Sequence, residues 1–315
     1  MKKPIVVLTG PTAVGKTELS IQLAKAIGGE IISADSMQVY KYMDVGSAKI
    51  TPEEMDGVRH YLVDELEPFD EFHVVKFQEY AQKYLNEIYA HEKIPIIAGG
   101  TGFYIQALLN DIDFTEQESD SAYRKELEAL AEEHGNQYLH DRLKEVDPES
   151  AKVIHPNNRK RVIRALEFFQ ETGGKISEHN AKEQMRTSPY NFAYFVLNDE
   201  RSHLYKRIDA RVDKMIEDGL EAEVRRLKEM GCTKDMVAMQ GIGYKEMLSY
   251  LDGGYSLEEA VYIIKRETRH FAKRQITWFK RERDVIWLNK NEFDYKNEAI
   301  LAYMIKILKE KAIIS

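Results

Sequence analysis

Residues Gly10-Pro11-Thr12-Ala13-Val14-Gly15-Lys16-Thr17 carry the spacing G-x-x-x-x-G-K-[ST] in full, and the chemistry of such a segment restricts what can surround it. Its glycines let successive backbone N–H groups turn toward one point, and the helix that follows adds partial positive charge from its N-terminus. Lys16 adds a full charge, and the Thr17 hydroxyl can ligate Mg2+. The arrangement needs a strand before the loop and a helix after it. Both are predicted here. Ile5-Val-Val-Leu-Thr9 is a short unbroken apolar run, the form of a parallel strand buried on both faces. From Lys16 to Ile27, Leu19, Leu23 and Ala26 recur at helical spacing and Gly28-Gly29 supplies a stop. The loop is therefore read as a polyphosphate site and not as a chance glycine-rich turn.

Glu30 to Ala34 and Ile94 to Ala98 repeat the short apolar form, and Val74 to Tyr89 between them has helical periodicity at Phe77, Ala81, Leu85 and Ile88. Strands alternating with helices predict an α/β fold, a P-loop NTPase-like parallel sheet flanked by helices. In open parallel sheets ligands sit beyond the carboxyl ends of the strands, so Lys16, Asp35 and Thr101 are expected to converge on one crevice. One feature departs from an ordinary ATP or GTP hydrolase, which places a magnesium-holding aspartate at the end of a later apolar strand. Here Ile94 to Ala98 runs into Gly99-Gly100-Thr101-Gly102 with no carboxylate, and the acid stands earlier, as Asp35 at the tip of the second strand.

From about Glu116 to about Pro189 the sequence turns charged and helix-forming, with predicted helices over Arg124–Glu133, Gln137–Val146 and Arg159–Gln170. Phe192 to Leu197 and Val285 to Leu288 are again strand-like. The predicted organisation is a discontinuous α/β core, residues 1–115 and 190–315, interrupted by an all-helical insertion domain, residues 116–189. No repeat of fixed period is present.

The net charge of -8 argues against a polyanionic partner only until it is divided. Residues 1–150 carry -14 and residues 151–315 carry +6, an asymmetry that hints at nucleic acid. Lys160-Arg161-Val162-Ile163-Arg164 places Arg161 and Arg164 on one helical face, opposite an apolar stripe of Val162, Ala165, Leu166 and Phe169. Between Lys265 and Arg283 stand eight basic residues against two glutamates, with Phe271, Trp278 and Phe279 among them. Because Val261, Ile264, Phe271 and Trp278 keep helical spacing, these aromatics are expected in the core and only the basic face is left for RNA. The single cysteine, Cys232, excludes an intramolecular disulfide and a multi-cysteine zinc site. The nine histidines show no metal-ligand spacing, and the apolar run Ile5–Leu8 is too short for an export signal or a membrane span. A soluble, cytoplasmic protein with no membrane partner is expected.

The loop of Gly10–Thr17, the stretch Asp35-Ser36-Met37-Gln38-Val39-Tyr40 and the stretch Gly99-Gly100-Thr101-Gly102-Phe103-Tyr104 together resemble the tRNA dimethylallyltransferase (tRNA isopentenyltransferase) family. The likeness extends to Lys160–Glu167, Arg211 with Gly219–Val224, Gly243-Tyr-Lys-Glu246 and Lys273-Arg-Gln-Ile-Thr-Trp278. Phe103 departs from it, since the family more often has leucine there. The resemblance implies transfer of a dimethylallyl group from dimethylallyl diphosphate to N6 of the adenosine just 3′ of the anticodon. It also implies a bacterial-type chain acting as a monomer, with Mg2+ as cofactor and the anticodon stem-loop of tRNA as partner.

By that resemblance, Gly10, Thr12, Ala13, Val14, Gly15, Lys16 and Thr17 hold the donor's diphosphate, with Mg2+ on Thr17 and with Arg211 also stabilising the leaving group. An adenine amine is a poor nucleophile, its lone pair being delocalised into the ring, and Asp35 is the candidate base; a helix cap or a magnesium partner is its structural alternative. Thr101 is implied as a substrate contact, and the Gly99–Gly102 turn could also be a second anion or hydroxyl site. Asp35, Ser36, Met37 and Gln38, Arg124 and the run Lys160, Arg161, Val162, Ile163 and Arg164 are implied to meet the tRNA, whose target base must be extruded from its stack. Without the resemblance, the same loop, sheet and insertion would describe a nucleoside or small-molecule kinase. A prenyltransferase acting on free AMP and a catalytically idle RNA-binding module are the remaining alternatives.

Overall fold

The structure, a computed structural model, describes residues 2–112 and 122–315. These fall into two compact units, one formed by Met1–Leu109 with Pro189–Ser315 and the other by Asn110–Ser188. The boundary expected at residues 115 and 116 lies outside the described residues.

In the first unit the order is β1 (Lys3–Thr9), α1 (Lys16–Ile27), β2 (Gly29–Ala34), α2 (Pro52–Met55), β3 (His60–Tyr61), α3 (Val74–Ala90), β4 (Ile94–Gly99) and α4 (Gly102–Asn110). Among the described residues the sheet has six strands in the order β3-β2-β4-β1-β5-β6, where β5 is Tyr190–Asn198 and β6 is Val285–Asn289. All pairings are parallel. β1 is central because it is apolar on both faces: Ile5 and Val7 join one core with Phe77, Leu85 and Tyr194, while Val6 and Leu8 join a second with Leu19, Leu23 and Phe195.

The second unit holds α5 (Ala122–His134), α6 (Asn136–Val146), α7 (Pro148–Val153), α8 (Arg159–Thr172) and α9 (Ile176–Met185). Leu127, Leu139, Leu143, Val162, Ile163 and Leu166 form its core. The buried Asp147 carboxylate accepts the amides of Ser150 and Ser177 at 3.0 Å and both hydroxyls at 2.7 Å, capping α7 and fastening α9 to it. Burial opposes the charge of Asp147, yet these bonds together hold its carboxyl below the usual range.

After β5 the first unit continues with α10 (Arg201–Glu217), α11 (Leu220–Glu229), α12 (Tyr244–Leu251), α13 (Leu257–Phe279) and, beyond β6, α14 (Asn297–Glu310). α13 starts at a capping box of Ser256 and Glu259 and buries Ala260, Ile264, Ala272, Gln275 and Phe279. The aromatics expected in the core divide: Phe279 is fully buried and Trp278 packs partly against the core, whereas Phe271 lines a crevice at the strand ends. Among the described residues no helix is long and apolar enough to cross a membrane.

Candidate active site

The carboxyl end of β1 runs into Gly10 at φ +149°, where a side chain would put Cβ 2.2 Å from the Leu197 carbonyl oxygen of β5. Ala13 and Gly15 are left-handed, at φ 63° and 103°, and curl the loop back toward the N-terminus of α1. Lys16 lies inside this curl, its Nζ donating to the carbonyls of Gly10 at 3.1 Å and Pro11 at 2.9 Å. Its pKa is lowered from 10.5 to about 8, by burial first and the Arg211 charge second, with the Asp35 carboxylate opposing the shift.

Three side chains remote in sequence hold the loop. Thr12 N–H donates to Gln275 Oε1 at 2.9 Å, Arg207 Nε donates to the Ala13 carbonyl at 2.8 Å, and Lys290 Nζ donates to the Val14 carbonyl at 3.4 Å. Because a trans peptide points its C=O and N–H in opposite directions, cations on the carbonyls of Ala13 and Val14 turn the N–H groups of Val14 and Gly15 the other way. Arg207 appears in the sequence as one more charge on a solvated helix and Lys290 lies in a short turn after β6; neither has a motif to mark it.

Asp35 stands at the tip of β2. Its Oδ1 accepts the amides of Met37 at 2.8 Å and Gln38 at 3.4 Å, so the carboxylate shapes its own turn and leaves Oδ2 for a ligand. β2 pairs with β4 through Ala34 and Gly99, and the Thr101 amide donates to the Ala34 carbonyl at 3.1 Å, which brings the Asp35 and Thr101 segments side by side. Ser36 is half-buried and Met37 packs partly against the core, its Sδ against Gly241. Gln38 donates to the Ala48 carbonyl at 3.2 Å. The following turn is pinned by Glu223, whose carboxylate accepts the amides of Asp44 and Val45 at 2.8 Å, that of Gly46 at 3.0 Å and the Tyr244 hydroxyl at 2.8 Å.

Arg211 is half-buried on α10. Two ion pairs to α13, Arg269 with Asp209 and Lys265 with Asp213, both at 2.5 Å, flank it by two residues on each side and fix the helix that carries it. Burial lowers its pKa, the Asp35 charge opposing and Arg207 reinforcing the shift. Thr12, Lys16, Thr17, Asp35, Gly100, Arg211, Phe271 and Gln275 line a crevice of about 230 Å³, with Ile31, Ile50 and Ala98 deeper in its wall. A second hollow of about 300 Å³ adjoins it, lined by Gly15, Lys16, Thr17, Arg207 and Arg211.

The remaining expected residues belong to the second unit. Lys160 and Arg161 are exposed and Arg164 is half-buried. Val162 and Ile163 are 0% and 2% exposed and sit in the unit's core, so of this run only the basic side chains have surface to offer. Arg124 forks onto Glu167, Nε at 3.0 Å and Nη2 at 2.6 Å, and that carboxylate is buried. This pairing gives Arg124 a structural duty on α5 that its expected RNA contact would have to share.

The crevice therefore gathers Lys16 and Arg211, with Arg207 in the adjoining hollow, the carboxylates of Asp35 and Glu54, and the hydroxyls of Thr12, Thr17, Ser20 and Ser33. Such a set can bind a polyphosphate and receive a proton a short distance from it. Among the described residues no group of three His, Cys, Asp or Glu could cage a metal ion. Mg2+ keeps most of its shell from waters and phosphate oxygens, which suits the single exposed hydroxyl of Thr17.

A family model described as IPP transferase matches residues 38–282. The chain is 63% identical over 313 residues to the tRNA dimethylallyltransferase of Lachnoclostridium phytofermentans, with 99% of each covered. It is 52% identical over 296 residues to that of Acetivibrio thermocellus, covering 94% of this chain and 95% of the relative. Among solved structures it is similar to the full-length tRNA isopentenylpyrophosphate transferase of Bacillus halodurans, with TM-score 0.74, 45% identity, and 99% of this chain and 98% of that one covered. It is also similar to a eukaryotic dimethylallyltransferase acting on tRNA, with TM-score 0.79, 32% identity, and 91% and 74% covered.

Proposed function

Because the chain belongs to the IPP transferase family and is an enzyme that transfers a dimethylallyl group to adenosine in tRNA, we propose that its crevice takes dimethylallyl diphosphate as the donor and N6 of the adenosine 3′ of the anticodon as the acceptor. The observation that carries this reading is the convergence on one crevice of Lys16, Arg211, Thr12 and Thr17 with Asp35 and with Gly100, the residue before Thr101.

The diphosphate would lie in the loop of Gly10–Thr17, and Thr17 would hold Mg2+, which when bound would supply charge neutralisation there. As the C–O bond to the allylic carbon lengthens, negative charge grows on the leaving diphosphate, where Lys16 and Arg211 stabilise it. The new C–N bond forms to N6, and the proton it displaces passes to Asp35 Oδ2, the oxygen not engaged by the Met37 and Gln38 amides. Thr101 and Gln38 orient the extruded base. Lys160, Arg161 and Arg164 track the RNA backbone. The reading takes the enzyme as a monomer acting in the cytoplasm, where tRNA and the prenyl donor are available.

Mass spectrometry of an anticodon stem-loop incubated with the protein, Mg2+ and dimethylallyl diphosphate tests the reading. One C5H8 on the adenosine beside the anticodon, without ATP, is the expected product; modification of free AMP alone, or a requirement for ATP, would overturn it. In single-turnover form Asp35→Asn lowers the rate by about 10²-fold or more while leaving diphosphate affinity in place.

A further inference from the structure

Resting on that assignment of donor and acceptor sides, we propose that Gln275 is a positioning residue which holds the donor loop and the acceptor turn in register with each other. β1 and β4 pair through Thr9 and Gly99, and the Thr9 hydroxyl donates to the Gly99 carbonyl at 2.7 Å. That is the last link of the ladder. Beyond it β1 passes into the phosphate loop and β4 into the turn before Thr101, and the sheet no longer fixes their separation. Gln275 supplies the next link: its Oε1 accepts the Thr12 amide at 2.9 Å and its Nε2 donates to the Gly100 carbonyl at 2.9 Å.

A primary amide offers an acceptor and a donor from one rigid planar group, and the bridge from α13 uses both. The residue is 6% exposed; its bond to Gly100 is buried and its bond to Thr12 partly buried. Gly100 is matched to it, since a Cβ there would lie 2.3 Å from the Gln275 Nε2. Gly99 is likewise fixed by its neighbour, a Cβ there falling 2.3 Å from the Ala34 carbonyl oxygen. The two glycines of this turn are thus accounted for by backbone approach and by the amide bridge, with no second anion site needed.

α13 does not depend on Gln275 for its place. Ala260, Ile264, Ala272 and Phe279 anchor it in the two cores, and the ion pairs of Lys265 and Arg269 tie it to α10. Loss of the amide would therefore leave the helix standing and the two loops free to drift apart. A misplacement of about 1 Å between reacting groups can cost about 10²-fold in rate.

Gln275→Met keeps the length and removes both bonds. With stem-loop and dimethylallyl diphosphate both saturating, its single-turnover rate should fall about 30-fold or more, while the separate affinities for inorganic diphosphate and for the stem-loop change less than about 3-fold. Gln275→Glu keeps the acceptor for Thr12 but turns a second acceptor on the Gly100 carbonyl, so its rate should fall too, and its added charge should weaken diphosphate binding. If the methionine variant does not fold, the glutamate variant decides. A wild-type rate in whichever variant folds overturns the proposal, as does a rate loss accompanied by equal losses of both affinities and of the melting temperature, which would mark a purely structural residue. Asp35→Asn in the same assay separates the two levels: if it is slow while Gln275→Met is fast, only the bridge is wrong, and if both are fast the site assignment falls as well.

Discussion

Lys16, at the wall of the crevice, has its charge markedly disfavoured. Folding carries its pKa from 10.5 down to about 8, through burial first and the Arg211 charge second. Between those two values the unfolded chain binds more protons than the folded one, so this residue alone makes stability rise with pH across that window. Binding moves the other way. A diphosphate placed against the ammonium favours its charged form, so binding takes up a proton once the free protein has begun to lose it. Affinity for inorganic diphosphate with Mg2+ is expected to be flat below about pH 8 and to weaken above it, by at most about tenfold per pH unit. Titration calorimetry in two buffers of different ionisation heat, at pH 7 and 9, measures the proton directly. A flat affinity and no uptake at pH 9 would take Lys16 out of contact with the phosphates.

At the scale of the element, α11 and α12 exist in large part to hold one turn. Glu223 on α11, 5% exposed, accepts three consecutive backbone amides of residues 44–46 and the Tyr244 hydroxyl from α12. Glu223→Gln would put an N–H against those donors. We expect it to cost about 3 kcal/mol, within the range for losing charged hydrogen bonds in a buried setting, as measured by urea unfolding; a loss below about 1 kcal/mol would mean that the turn holds itself. The sequence marks Gly219–Val224 and Gly243–Glu246 only through resemblance, because the amides that Glu223 accepts lie 177 to 179 residues away and Tyr244 lies 21 residues from it, and no local pattern encodes such contacts. What local pattern does encode was legible: the strand-loop-helix around Gly10–Thr17, the helices Val74–Ala90 and Arg159–Thr172, and the Asp35 tip. The two-residue strand β3 was not, being too short to show a period. Val162 illustrates the weighing of two signals. Its periodicity places it on the apolar stripe while the resemblance includes it in an RNA-contacting run, and burial at 0% follows the periodicity.

For the whole molecule, a net charge of -8 coexists with an RNA substrate because charge is distributed and not averaged. The exposed Lys160 and Arg161 and the outer face of α13 with Arg266, Lys273 and Arg274 provide local positive surface. If four or five of these meet phosphates, stem-loop affinity should fall with added salt along a log–log slope of about -3 to -4.5. Fluorescence anisotropy between about 50 and 200 mM salt measures it, and a slope near zero would leave the basic residues without an RNA role.

The bracing of the phosphate loop carries a consequence for how the chain matures during synthesis. The loop is made before the side chains that brace it, yet Gly10 packs under Leu197, Thr12 is bonded to Gln275 and Val14 to Lys290, partners 263 and 276 residues downstream in the last two cases. Contacts so distant in sequence close late. The anion-binding nest thus acquires its working shape only after Lys290 has been translated, so a nascent chain that stops short of it presents a phosphate motif without the means to grip its ligand.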